Sequence, residues 1–275
     1  MTDENTAAAA CLSYGLAIDI ESTGRAMIDD DGTLNTRLLQ IGACFGSADG
    51  SVIETGSWCW PVPASEKFDA RTYEEFWSKH PAILERIDRE SKSEPTPFTS
   101  FLAWLKRIEQ RYGPFGKGVK EAQRLRWVSD NPAFDISEIN VNIVLFTQAL
   151  KAFRAYTKTA KPTETYINSN SLARDLDNLA TLLEGQVPTE LKTSDTARAV
   201  IEAHGGKPLS EMFTGYVPCD DPTEVERGLT PAQRARVESF ITAPHDHWAV
   251  NDATQHFQRW CGVQAVLDDS AQAAN

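Results

Sequence analysis

Three acidic motifs, far apart in a chain of 275 residues, combine residue types and spacings suited to divalent-metal chemistry. The first is Asp19-Ile20-Glu21. On a strand this spacing turns both carboxylates to one side of the sheet, roughly 7 Å apart. Hard cations such as magnesium take oxygen ligands of this kind. Buried acids in such a place need a partner or a metal ion. Ser22, Thr23 and Gly24 follow at once as a small polar turn where a ligand can approach the backbone. The second motif runs from Ser129 to Asp135, SDNPAFD. Here either Asp130 or Asp135 is the acid of interest, or the run caps a helix with Asp135 in its first turn; Phe134 is available to the core or for stacking on a base. The third is His247 to Ala253, HWAVNDA. Five residues on an ideal helix are about 140° apart, so His247 joins Asp252 only from an entry turn, which Pro244 favours. His245 is the rival, seven residues from Asp252. His80, His204 and His256 have no comparable acid partner in the sequence and read as surface or packing histidines.

These groups need elements to hold them. Residues 14–21 read as a strand with Leu16, Ile18 and Ile20 on one face and Ala17, Asp19 and Glu21 on the other. Strands are also expected over 37–45 and 51–60, joined by a hairpin turn at 46–50, and over 124–129. Helical spacing appears over 72–87 and 98–112, and helices are expected over 134–156, 171–184 and 194–203, the last capped by Ser194 with Gly205 beyond its end. The Gly- and Pro-rich stretch 205–230 predicts an irregular excursion. Thr230-Pro231 opens a further helix to Ile241, and a last helix runs from just after Pro244 to about Trp260. The pattern is α/β: a mixed sheet with helices packed on it. A single domain over 13–262 with an insertion around 157–230 is expected, between tails at 1–12 and 263–275.

Composition narrows the function. The cysteines (Cys11, Cys44, Cys59, Cys219, Cys261) are scattered, odd in number and form no CxxC pair, which favours a reducing intracellular compartment such as the cytoplasm over a disulfide framework. No apolar run approaches the roughly 18 residues of a membrane span. The net charge of −12 argues against a wide basic footprint on a long duplex. Acids gathered around cations weaken that objection, because the ions carry their own positive charge. Two basic clusters, Lys117, Lys120, Arg124 and Arg126, and Lys151, Arg154, Lys158 and Lys161, read as solvated charge or, if they face the site, as a track for a single strand. GPFGKG at 113–118 lacks the spacing and the serine or threonine of a phosphate-binding loop.

Taken together, IDIESTG at 18–24, NPAFD at 131–135 and HWAVNDA at 247–253 resemble the three motifs of the DEDDh 3′–5′ exonucleases, within the RNase H-like superfamily. LLQIGA at 38–43 and FWSKHPAILERI at 76–87 are similar to the branch holding phage DNA exonuclease A and bacterial exoribonucleases. The resemblance spans about 14–262 and implies an RNase H-like mixed sheet flanked by helices. It implies Asp19, Glu21, Asp135 and Asp252 as metal-site acids for two Mg²⁺ or Mn²⁺ ions and His247 as general base. Asp19 would bridge the ions, Glu21 and Asp252 would complete one site, and Asp135 would support the other. Ile20, Ser22, Thr23 and Phe134 would contact the 3′ end of a single strand. Two such ions, about 3.5–4 Å apart, suit in-line hydrolysis to nucleoside 5′-monophosphates, and a histidine near its unperturbed pKa suits removal of the proton from water. DNA is slightly favoured as substrate. An exoribonuclease acting on short RNA, or a binding module without catalysis, is the alternative.

Overall fold

A strand that must bury one face against each of two helices needs side chains alternating along its length, and residues 14–22 have them. In the computed structural model, which describes residues 14–24, 37–93, 96–113, 125–132, 134–136, 138–139, 142 and 220–274, β1 (Tyr14–Ser22) lies between β2 (Leu38–Ser47) and β4 (Leu125–Val128). The order is β3-β2-β1-β4, with β3 (Val52–Cys59) at one edge. β1 pairs antiparallel with β2 and parallel with β4, and β2 pairs antiparallel with β3, giving a mixed four-stranded sheet. The β2–β3 connection closes at 48–50, where Gly50 takes φ +96° and its N–H donates to Ser47 O at 3.0 Å.

The two faces of β1 meet different helices. Leu16, Ile18 and Ile20 join Ile41 and Phe45 against α3 (Pro97–Tyr112), which contributes Phe98, Phe101, Trp104, Leu105 and Ile108. At about 1.5–3 kcal/mol per buried large apolar side chain, this is the main core. On the other face Ala17, Cys44 and Val128 pack against Ala253, Phe257, Trp260 and Cys261 of α6 (Ala249–Ala274). α6 sits unusually close there because the sheet offers no bulk. A Cβ on Gly42 would lie 2.0 Å from the carbonyl carbon of Ala249, one on Gly46 2.4 Å from Phe257, and one on Gly15 2.7 Å from Trp260.

Several elements differ from the sequence expectation. The helix expected over 72–87 is two: α1 (Ala70–Glu75) and α2 (Pro81–Ser91), with a 3₁₀ turn at Trp77–Lys79 between them. Pro81 has no N–H and starts a helix more readily than it continues one. The irregular excursion holds α4 (Pro222–Arg227), capped by Asp221. α5 (Pro231–Glu238) opens with a capping box between Thr230 and Gln233 and ends short of Ile241. The last helix starts five residues after Pro244 and continues through 263–274, the stretch expected to be a tail; Val263 and Val266 are buried with Leu229 and Val237. Residues 132–142 are helical at the positions described. The helices expected over 171–184 and 194–203, the N-terminal tail, the cluster at 151–161, Lys117, Lys120 and Arg124 lie outside the described residues, as do Cys11 and Cys219. Cys44, Cys59 and Cys261 are buried free thiols. No helix among the described residues is long and apolar enough to cross a membrane.

Candidate functional site

The α6-facing side of β1 is apolar at Ala17 and acidic at Asp19 and Glu21, so the acids lie beneath the first turns of α6. Two contacts seat that end of the helix. Asp19 pairs with Gly42 across the β1–β2 ladder, and the missing side chain at Gly42 lets the Ala249 backbone descend onto the sheet. Gln40, fully buried beside Glu21 in the ladder, accepts a hydrogen bond from Ala249 N at 3.2 Å and donates to Ser57 Oγ at 2.9 Å. Asp252, one turn into α6, thereby reaches the strand acids. Asp19, Glu21 and Asp252 each bring a carboxylate oxygen within 4.8 Å of the others.

Three carboxylates this close and this dry oppose one another's ionisation. Burial pushes Asp19 well above the usual carboxylate range, and the charges of Asp252 and Asp130 push it further. Glu21 is raised well up by burial, then by Asp19, Asp252 and Asp135. Burial also raises Asp252, opposed by His245 and by the Asp246 N–H that it accepts at 3.2 Å. A divalent cation relieves this repulsion, and all-oxygen donor sets suit magnesium or manganese. The donors therefore fit the ions that the motifs imply.

Asp135 departs from this convergence. It is buried, accepts a hydrogen bond from Ser129 Oγ, and is raised well above its usual range by burial and then by Asp19. The charge of Asp19 is felt there, yet among the described residues Asp135 joins no set of converging ligand atoms. Asp130 does, with Asp19 and His256. His256 corrects the reading of it as an ordinary packing histidine: its Nε2 lies 3.6 Å from Asp19 Oδ1 and 3.4 Å from Asp130 Oδ1. The signal was present in the sequence, since residues four apart on a helix share a face and His256 stands four after Asp252.

His247 occupies the entry turn that its spacing to Asp252 requires. It precedes α6 and takes φ +59°. Its ring meets Phe76, His80 and His245 at 4.9, 4.9 and 5.1 Å between centroids. Burial lowers its pKa below the ordinary histidine value, and His245 lowers it further. His245 Nδ1 stands 3.5 Å from Asp252 Oδ1, but about half of that side chain is exposed. Both histidines and Asp252 can gather around one ion.

Beside the acids lies a cleft of about 220 Å³, lined by Ile20, Glu21, Ser22, Gly24, Thr72, Phe76, Trp77, Asn131 and Phe134. Ile20, Ser22 and Phe134 thus reach it, and Thr23 does not. Thr23 is fully buried: its N–H donates to Arg37 O, its carbonyl accepts from Asp69 N, and its Oγ1 accepts from Arg37 N. Trp77 is a core residue whose indole N–H holds Ser22 O at 2.9 Å. Trp248 is buried under the Arg86 guanidinium, 3.6 Å from its ring centroid. No model of a known protein family matches this chain, and no curated protein does.

Proposed function

We propose that this chain is a metal-dependent 3′→5′ exonuclease of the DEDDh kind, with an RNase H-like sheet, acting on single-stranded nucleic acid and on DNA before RNA. The observation that carries the reading is the convergence of Asp19, Glu21 and Asp252 beside an open cleft. Asp19, Glu21 and Asp252 would hold divalent ions, which when bound supply Lewis-acid charge to a phosphodiester and acidify water. The work of the chain itself is positioning and proton transfer. Phe134 and Phe76 offer the terminal base apolar walls, and Ser22, Thr72 and Asn131 offer polar groups to its sugar. His247, kept neutral by its surroundings, takes the proton of the attacking water. The P–O3′ bond breaks, the new P–O bond comes from water, and the leaving 3′ oxygen is protonated, so the product is a nucleoside 5′-monophosphate.

The test uses 5′-labelled single-stranded DNA, single-stranded RNA and blunt duplex, each with a free or blocked 3′ end, in Mg²⁺ or Mn²⁺. A ladder shortening by single nucleotides from free 3′ ends is expected, with no product from blocked ends, in EDTA, or with a folded Asp19→Ala variant. Full activity in EDTA or in Asp19→Ala would falsify the assignment. Faster shortening of RNA moves the substrate to RNA within the same chemistry, whereas preference for the blunt duplex removes the single-strand claim.

A further inference from the structure

Asp19 belongs to two sets of converging donors. One is the all-carboxylate set with Glu21 and Asp252; the other comprises Asp19, Asp130 and His256. The second has a property that the first lacks. His256 is about 95% buried, and neither of its ring nitrogens has a hydrogen-bond partner among the described residues. A buried, unsatisfied imidazole is expensive, and this one points Nε2 between two carboxylates. A histidinium bonded to them would stand roughly 2.7–2.9 Å away. The separations are 3.4 Å and 3.6 Å. Those are the spacings of donors around a common ion: bonds of roughly 2.0–2.2 Å put neighbouring ligand atoms roughly 3–3.6 Å apart.

We infer that Asp19 Oδ1, Asp130 Oδ1 and His256 Nε2 form a nitrogen-containing site for a first-row transition-metal dication, alongside the all-oxygen set. The inference rests on the nuclease reading for the ion that Asp19 shares between the sets. Imidazole in the donor set biases it toward manganese through zinc and away from magnesium, which holds oxygen ligands and water. Asp130 is partly exposed and leaves the site a face toward solvent. The neighbouring set, without imidazole, keeps no such bias. Different ions at two positions joined by one carboxylate would follow.

The experiment titrates the metal-free full chain with Mn²⁺ and reads ¹⁴N coupling by electron spin-echo envelope modulation, with Mg²⁺ as competitor. Nitrogen coupling is expected in the parent protein and is lost in His256→Phe, which keeps the ring's bulk. Mn²⁺ affinity falls by roughly tenfold or more, while Mg²⁺ affinity changes far less. Bound Mn²⁺ without nitrogen coupling, or coupling that survives His256→Phe and so comes from His245 or His247, overturns the site. If His256→Phe does not fold, Asp130→Ala at the partly exposed position gives the answer: unchanged Mn²⁺ affinity overturns the site, and a loss of the same order supports it. Exonuclease activity with no nitrogen coupling removes this site and leaves the function. Absence of any divalent-metal binding removes both.

Discussion

His247 and His245 flank Asp246, and both lie near Asp252, so the assignment of the base turns on their surroundings. His247 is enclosed by Phe76 and His80 and is biased toward its neutral, proton-accepting form, whereas His245 is half exposed. His247→Ala should lose about 10²–10⁴-fold in turnover, and His245→Ala much less; the reverse order in a steady-state comparison would transfer the role to His245. Because φ is +59° at His247, His247→Asn is the better control: asparagine tolerates that conformation and cannot act as the base. The acids give a second expectation, in stability. Their folded-state pKa values are raised, so the folded chain binds more protons than the unfolded one and stability falls as pH rises above the ordinary carboxylate range. In EDTA the melting temperature should decline between pH 5 and 8, and Asp19→Asn should melt higher than the parent at pH 8, by about 2–4 °C per kcal/mol relieved. A lower melting point for Asp19→Asn would show that the acids do not repel. Much of this site was legible at the residue scale, because a two-residue spacing on a strand and an entry turn before a helix are local geometry. His256 was legible only in its place one turn after Asp252; its partners Asp19 and Asp130 come from other elements, and only the fold brings them to α6.

At the scale of elements, the start of α6 is the part that positions Asp252. The α6 backbone rests on Gly42, and the amide of its first residue is bonded to a buried glutamine. Gln40→Leu fills a similar space but leaves the Ala249 N–H without its acceptor and Ser57 without its donor. A loss of about 1–3 kcal/mol in urea unfolding is expected, with weaker metal binding because Asp252 is no longer held over Asp19. Unchanged stability and metal affinity would mean that the helix is seated by packing alone. The sequence pattern supports β2 as a strand and does not disclose this seat. Gly42 is what a close backbone approach needs, but only the ladder register identifies Ala249 as the backbone that approaches. Pro81 divides one expected helix into two, and the turn from Pro244 to Trp248 that precedes α6 is bound by Asp246, which accepts from Trp248 N and Asn251 Nδ2.

For the molecule as a whole, the net charge of −12 and the absence of a lysine or arginine among the described residues that line the cleft limit what holds a polynucleotide. Binding should then depend shallowly on salt. With about two phosphates neutralised, single-strand affinity falls less than about tenfold between 50 and 200 mM salt. A steep loss would point to a basic surface outside the described residues. The α/β class was legible from the change of hydrophobic period along the chain, and the sheet's two unlike faces follow from β1 alone.

The unbroken course of α6 has one more consequence. Asp252 and His256 lie in its first turns, and Val263 and Val266 beyond its midpoint. Asp252 and Val266 are fourteen residues apart, about 21 Å along the axis. The helix packs on β1, β2 and α5 as far as Val266, beyond which residues 267–272 are exposed, so an ion held at its start is expected to defend the amides of that packed stretch together. In amide hydrogen exchange, Mn²⁺ should slow the protons around Val263 and Val266 together with those of the first turns. Protection that stops after the second turn would mean that α6 frays independently of its ligand-bearing end.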